Sequence, residues 1–94
     1  MIRSIRSKAL KRFWEDGDAC GIRPDWDERV TLILDALDQA TRPEDMKLPG
    51  LKFRELSHDR KGTYAVLVSP NRGITFKWED GEAVHVDLED YHGR

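Results

Sequence analysis

Asn71-Arg72-Gly73-Ile74-Thr75-Phe76-Lys77-Trp78-Glu79-Asp80-Gly81-Glu82-Ala83-Val84-His85-Val86-Asp87-Leu88-Glu89-Asp90-Tyr91-His92 is the stretch on which the fold turns. Ile74, Phe76 and Trp78 alternate with Thr75 and Lys77, and Val84, Val86 and Leu88 alternate with His85, Asp87 and Glu89. Period-two alternation marks strands with one buried face. Asp80-Gly81 between the two runs signals a tight hairpin, because primed turns need positive φ and glycine adopts it without a Cβ clash. Such a hairpin requires a layer over its apolar face. Its other face, and the strand end carrying Asp90, Tyr91 and His92, remain open to chemistry.

The covering layer is legible upstream. Ser7 is a helix cap, and Ala9, Leu10, Phe13 and Trp14 fall on one stripe of a helix from Lys8 to Asp16 that Gly17 ends. Pro24 suits the first turn of a second helix, with Asp25, Asp27 and Glu28 near its positive end. Val30, Ile33, Leu34 and Leu37 form its buried stripe, and Pro43 stops it near Ala40 or Thr41. Ile2–Arg6 is expected to be a short first strand, Pro43–Met46 an isolated turn, and Leu51–Leu56 a strand with Phe53 inward and Lys52 and Arg54 outward. Ser57 to Gly62 is a polar loop, and Gly62–Ser69 a central strand buried on both faces. The expected architecture is a single α+β domain over residues 1–94, with two N-terminal helices packed on one face of a mainly antiparallel sheet of four to five strands.

Composition bounds the function. The 94 residues are 36% charged and 38% hydrophobic, a balance typical of one small folded domain. No apolar run approaches the roughly 20 residues of a membrane span, and the basic N-terminus lacks a signal-peptide core, so a cytoplasmic protein is expected. Cys20 stands alone, which excludes an intrachain disulfide and a thiolate metal cluster. The net charge of −2 argues against a simple nucleic-acid binder. Its distribution does not: Arg3, Arg6, Lys8, Lys11 and Arg12 crowd the start, and Lys52, Arg54, Arg60 and Lys61 form a second basic group. Among the side chains, His92 is the best candidate general acid or base, with Tyr91 to donate or orient and Asp90 to fix the imidazole or accept a proton.

Several segments together carry a family resemblance. They are Met1-Ile2-Arg3-Ser4, the helix Lys8-Ala9-Leu10-Lys11-Arg12-Phe13-Trp14-Glu15, Leu34-Asp35-Ala36-Leu37-Asp38-Gln39-Ala40 and Glu44-Asp45-Met46-Lys47-Leu48-Pro49-Gly50. The most specific are Ile74-Thr75-Phe76-Lys77-Trp78-Glu79-Asp80-Gly81 and Val86-Asp87-Leu88-Glu89-Asp90-Tyr91-His92. Nearly end to end, the chain resembles the HigB-type toxins of the RelE/ParE superfamily, also called plasmid maintenance killer proteins. The resemblance implies a RelE-like fold and a ribosome-dependent mRNA endonuclease that works in the ribosomal A site against ribosomal RNA. It also implies a HigA-type helix-turn-helix antitoxin. The implied chemistry uses no metal and no cofactor: a ribose 2′-OH attacks its neighbouring phosphate, leaving a 2′,3′-cyclic phosphate and a 5′-OH. That reaction needs a base, cations for the phosphorane charge and an acid for the leaving oxygen. Asp90, Tyr91 and His92 match the family's C-terminal functional cluster.

Two departures stand out. Where family members read Asn-Trp-Arg-Ile-Thr-Phe, this chain reads Asn71-Arg72-Gly73-Ile74-Thr75-Phe76, so the phosphate-stabilising arginine aligns with Gly73. Arg72 replaces it only if a bulge or the nearby turn re-aims its side chain, since neighbouring strand residues point to opposite faces. The family loop Leu-Lys-Gly-Asp-x-x-Gly becomes Leu56-Ser57-His58-Asp59-Arg60-Lys61-Gly62. Three readings fit: His58, Arg60 or Lys61 compensates; the toxin is an attenuated natural form; or Gly73 is a substitution that let a toxic gene be propagated. The expected site is thus His92, Tyr91, Asp90 and Arg72 for catalysis, with Arg54, His58, Arg60 and Lys61 for RNA. The competing class is a non-catalytic binding module of the same fold or a gyrase-type inhibitor, as ParE-like relatives imply.

Overall fold

The computed structural model describes residues 1–56 and 60–90, for Asp90 the backbone alone. Two helices and four strands follow in order: α1 (Lys8–Asp16), α2 (Asp27–Gln39), β1 (Arg54–Glu55), β2 (Thr63–Ser69), β3 (Arg72–Glu79) and β4 (Glu82–Asp90). The strands form one antiparallel sheet in sequence order, so every connection is between neighbours. The Ser7 hydroxyl accepts the Leu10 N–H at 3.2 Å to cap α1, and Gly17 ends the helix. Pro24–Trp26 forms a 3-10 turn before α2, and Pro43–Met46 forms a second one after it. Gly21 lies where a Cβ would come 2.7 Å from the Ala9 Cβ, so the α1–α2 connection passes α1 at a distance only glycine permits.

The core lies between the helices and one face of the sheet. Leu10 of α1 and Val30, Ile33, Leu34 and Leu37 of α2 meet Val66, Val68, Ile74, Phe76, Ala83 and Val86, and all are buried. An aromatic row crosses the sheet: Phe53 stacks on Tyr64 at 5.6 Å, Tyr64 on Phe76 at 5.7 Å, and Phe76 meets the edge of Trp78 at 6.3 Å. Burial pushes the Tyr64 phenol up from its ordinary value, and the Glu55 and Glu44 carboxylates push the same way. Arg29 ties α2 to the sheet, donating to the carbonyls of Leu67 (3.0 Å) and Gly50. No helix among the described residues is long and apolar enough to cross a membrane.

Three sequence expectations need correction. Ile2–Arg6 is not a strand but a run with two isolated parallel bridges, Ile2 to Ala83 and Ile5 to Val86, which cover part of the outer edge of β4. Strand Leu51–Leu56 shrinks to Arg54–Glu55, since Lys52 takes φ +51° and breaks the extended run. The third concerns β4. The Asp80-Gly81 turn forms as expected, both residues with positive φ, and pairs Trp78 with Ala83 and Lys77 with Val84. The next pair is Thr75 with Asp87, so His85 and Val86 together oppose Phe76. His85, at φ +54°, is the extra residue of a bulge. Val84 therefore shares the Lys77 face, whereas Ala83 and Val86 face the helices. A simple alternation of Val84, Val86 and Leu88 does not hold.

The bulge is held from the N-terminal run: the His85 N–H donates to the Ser4 Oγ at 2.8 Å and the Val86 N–H to the Ser4 carbonyl at 3.1 Å. A non-glycine residue at positive φ stores about 1–3 kcal/mol of strain, and a β-branched one stores most. We predict that His85→Gly changes unfolding stability by less than about 1 kcal/mol in urea titrations, whereas His85→Val loses about 1–3 kcal/mol. Phe76→Ala, at the centre of the aromatic row, is expected to lose about 3–5 kcal/mol in the same measurement.

Candidate functional site

The sheet face turned away from the helices is set by the cross-strand register. Leu67 pairs with Gly73 and Gly73 with Glu89, giving one row; Arg54 pairs with Ala65, Ala65 with Thr75 and Thr75 with Asp87, giving the next. Directly paired residues point to the same side of a sheet. The middle of this face is therefore built from small, buried residues, Ala65, Gly73 and Thr75, with charged residues around them. Arg54 on the edge strand stands two strand spacings from Thr75, roughly 10 Å across the sheet.

Glu89 is the best-defined group on this face. Both of its carboxylate oxygens accept from the Arg60 guanidinium, each at 2.6 Å, and the Thr75 hydroxyl donates to Oε2 at 2.5 Å. The Glu89 side chain is 23% exposed and that of Arg60 44%. The two Arg60 hydrogen bonds hold the Glu89 carboxyl below its ordinary range. Burial opposes them, while the Thr75 hydroxyl and the Arg6 charge add to the lowering. The bidentate pair also fixes the plane of the guanidinium. A carboxylate so stabilised is a poor proton acceptor near neutrality.

The expected site residues separate. Arg60 joins this face through Glu89, and Arg54 lies on it by register. Lys61 is exposed in the turn that leads into β2. Arg72 pairs with Asp90 in the β3–β4 ladder, and its guanidinium sits 5.6 Å from the centroid of the Trp26 ring. Trp26 packs against the core, so Arg72 is directed to the helix side, opposite to Gly73 and Glu89. The β2 strand is irregular beside it, between Leu67 and Ser69, yet the Arg72 guanidinium stays with Trp26. His58, Tyr91 and His92 lie outside the described residues, as does the Asp90 side chain. An open cleft of about 510 Å³ is lined by Arg29, Gly50, Lys52, Leu67, Ser69 and Pro70. Among the described residues no group of three His, Cys, Asp or Glu side chains is arranged to hold a metal ion.

Sequence reasoning did not single out Glu89 or Thr75. Both stood on the polar side of their strands, but only the cross-strand register shows that Glu89 stands opposite Gly73.

Comparison with known proteins adds an independent line. Residues 3–92 match the family described as HigB-like toxin, the RelE-like toxin of the type II toxin–antitoxin system HigB. The chain is also 34% identical, over 92 residues, to a protein of Proteus vulgaris named Endoribonuclease HigB; the match covers 98% of this chain and 100% of that relative.

The lowered carboxyl of Glu89 has a pH signature. A carboxylate whose native pKa lies below its unfolded value adds stability that is complete above the unfolded value and lost as pH falls through the native one. We predict that Glu89 titrates below the ordinary glutamate range in carboxyl-carbon NMR, and that Arg60→Ala moves it upward and removes its share of the acid limb of stability.

Proposed function

Because the chain belongs to the HigB-like family of RelE-like toxins of type II toxin–antitoxin systems, we propose that it is an endoribonuclease that cuts mRNA in the ribosomal A site. The observation that supports this most is the sheet face itself, a floor of small side chains with Arg54 and Arg60 beside it, on a fold that matches the family along almost its whole length. An RNA backbone needs cationic donors, and Arg54 and Arg60 supply them. In this reading a 2′-OH attacks the adjacent phosphate. His92 and Asp90 share the proton transfers, Tyr91 orients or donates, and Arg72 is the arginine nearest in sequence to the vacated position 73. Arg54, His58, Arg60 and Lys61 contact RNA. The bound state in the cell is a complex with a HigA-type helix-turn-helix antitoxin, and the working place is the cytoplasmic ribosome with its ribosomal RNA.

One observation favours a second reading, a binding module of the same fold without catalysis. Gly73 supplies no guanidinium on the Glu89 face, and the neighbouring Arg72 is directed to Trp26. Loss of one donor to developing charge costs on the order of 100- to 1,000-fold in rate. Slow cleavage is therefore expected of this sequence.

The test is induction of the chain, and of Gly73→Arg, in a bacterial host without antitoxin, with mRNA 5′ ends mapped on ribosomes. We expect weak cleavage by the chain and at least tenfold more by Gly73→Arg, with His92→Ala abolishing both. Cleavage by neither protein would leave the binding module as the function.

A further inference from the structure

The Arg60–Glu89–Thr75 group is built more closely than a surface ion pair. It links the turn before β2 to β3 and β4, it uses both oxygens of one carboxylate, and a buried threonine completes it. Exposed lysine and arginine pairs gain little and move freely. Here the carboxylate is three-quarters covered, and the Thr75 hydroxyl fixes the one rotor that would otherwise swing. Glu89 stands directly across the ladder from Gly73, the position on this face that has no side chain. The guanidinium held by Glu89 is consequently a cation fixed on the face that Gly73 shares. A fixed, planar guanidinium recognises a phosphate better than a mobile ammonium, because its donors are already aligned.

We propose that Glu89 and Thr75 are positioning residues that hold the Arg60 guanidinium against an RNA phosphate beside Gly73. The proposal deepens the RNA-cleaving function and rests on that reading for its ligand. It makes a prediction of unusual sign. Removing an acid beside an RNA site strengthens binding if charge alone matters. Removing an acid that places the binding cation weakens it.

The probe is a short single-stranded oligoribonucleotide with 2′-O-methyl groups, which cannot be cut by 2′-OH attack. Its affinity is followed by fluorescence anisotropy over a range of salt concentrations. Arg60→Ala is expected to weaken binding about tenfold and to make the slope of log affinity against log salt shallower by about 0.7, the loss of one phosphate contact on a single strand. Arg60→Lys keeps the charge and should restore the slope but not the full affinity. Glu89→Gln and Thr75→Val should each weaken binding about threefold, and Thr75→Ser, which keeps the hydroxyl, should bind as the parent does. Circular dichroism melting identifies variants that remain folded, and Arg60→Lys and Thr75→Ser carry the test if the others do not. An unchanged slope in Arg60→Ala, tighter binding by Glu89→Gln, or no binding by the parent chain overturns the proposal. Cleavage of ribosome-bound mRNA is measured alongside. Probe bound through Arg60 while mRNA is never cut would remove the nuclease reading and keep this one. Cleavage at the parent rate by Arg60→Ala would do the reverse.

Discussion

One added residue in β4 decides what each side of this sheet does. Continued without interruption from the Asp80-Gly81 turn, the ladder that pairs Lys77 with Val84 would set Thr75 against Val86 and Arg72 against Glu89. Val86 and Leu88 would then leave the core, and Glu89 would face the helices. With His85 extruded, Thr75 meets Asp87 and Gly73 meets Glu89. The apolar side chains return to the helices, and the acid arrives on the open face. A one-residue slip exchanges the two faces of a strand, so the bulge specifies core and site in a single step. Its strain is matched by the Ser4 side chain and backbone, which accept the amides left over at His85 and Val86.

The chemistry of the open face follows from that geometry. The Glu89 carboxylate takes two hydrogen bonds from Arg60 and one from Thr75. Beside it lie the small, buried residues Ala65 and Gly73. The face carries both signs, Arg54 and Arg60 with Asp87 and Glu89, in a protein whose total charge is −2.

What the sequence made legible was local. Ser7, Gly17, Pro24, Pro43 and Asp80-Gly81 each act through their own backbone, and each ended, began or turned an element near the expected place. The α+β architecture and its family followed from patterns and motifs of that kind. Features that depend on partners distant in the chain were harder. No residue-type signal marks His85 as a bulge, because glycine, the usual sign, is not there. The strand expected at Leu51–Leu56 contracts because Lys52 turns to positive φ, although Leu51 still accepts the Leu67 N–H at 2.7 Å. Arg60 and Glu89 are 29 residues apart and meet only through the register. Arg72 stood beside the right position in sequence, but strand alternation carries its side chain to Trp26. His58, Tyr91 and His92 lie outside the described residues.

The short N-terminal run beside β4 has a consequence for how the protein comes into being. Its bridges join residues as far apart as Ser4 and His85, 81 positions distant, and the same contacts steady the bulge that sorts the two faces. A ribosome synthesises the first of these partners long before the second, and contacts of such separation form late because a long loop must close first. Until β4 has emerged, the helices have no complete sheet to cover and Glu89 has no Gly73 to face. The domain therefore acquires this face only once β4 has been made, so a chain halted before β4 carries the basic residues without their arrangement.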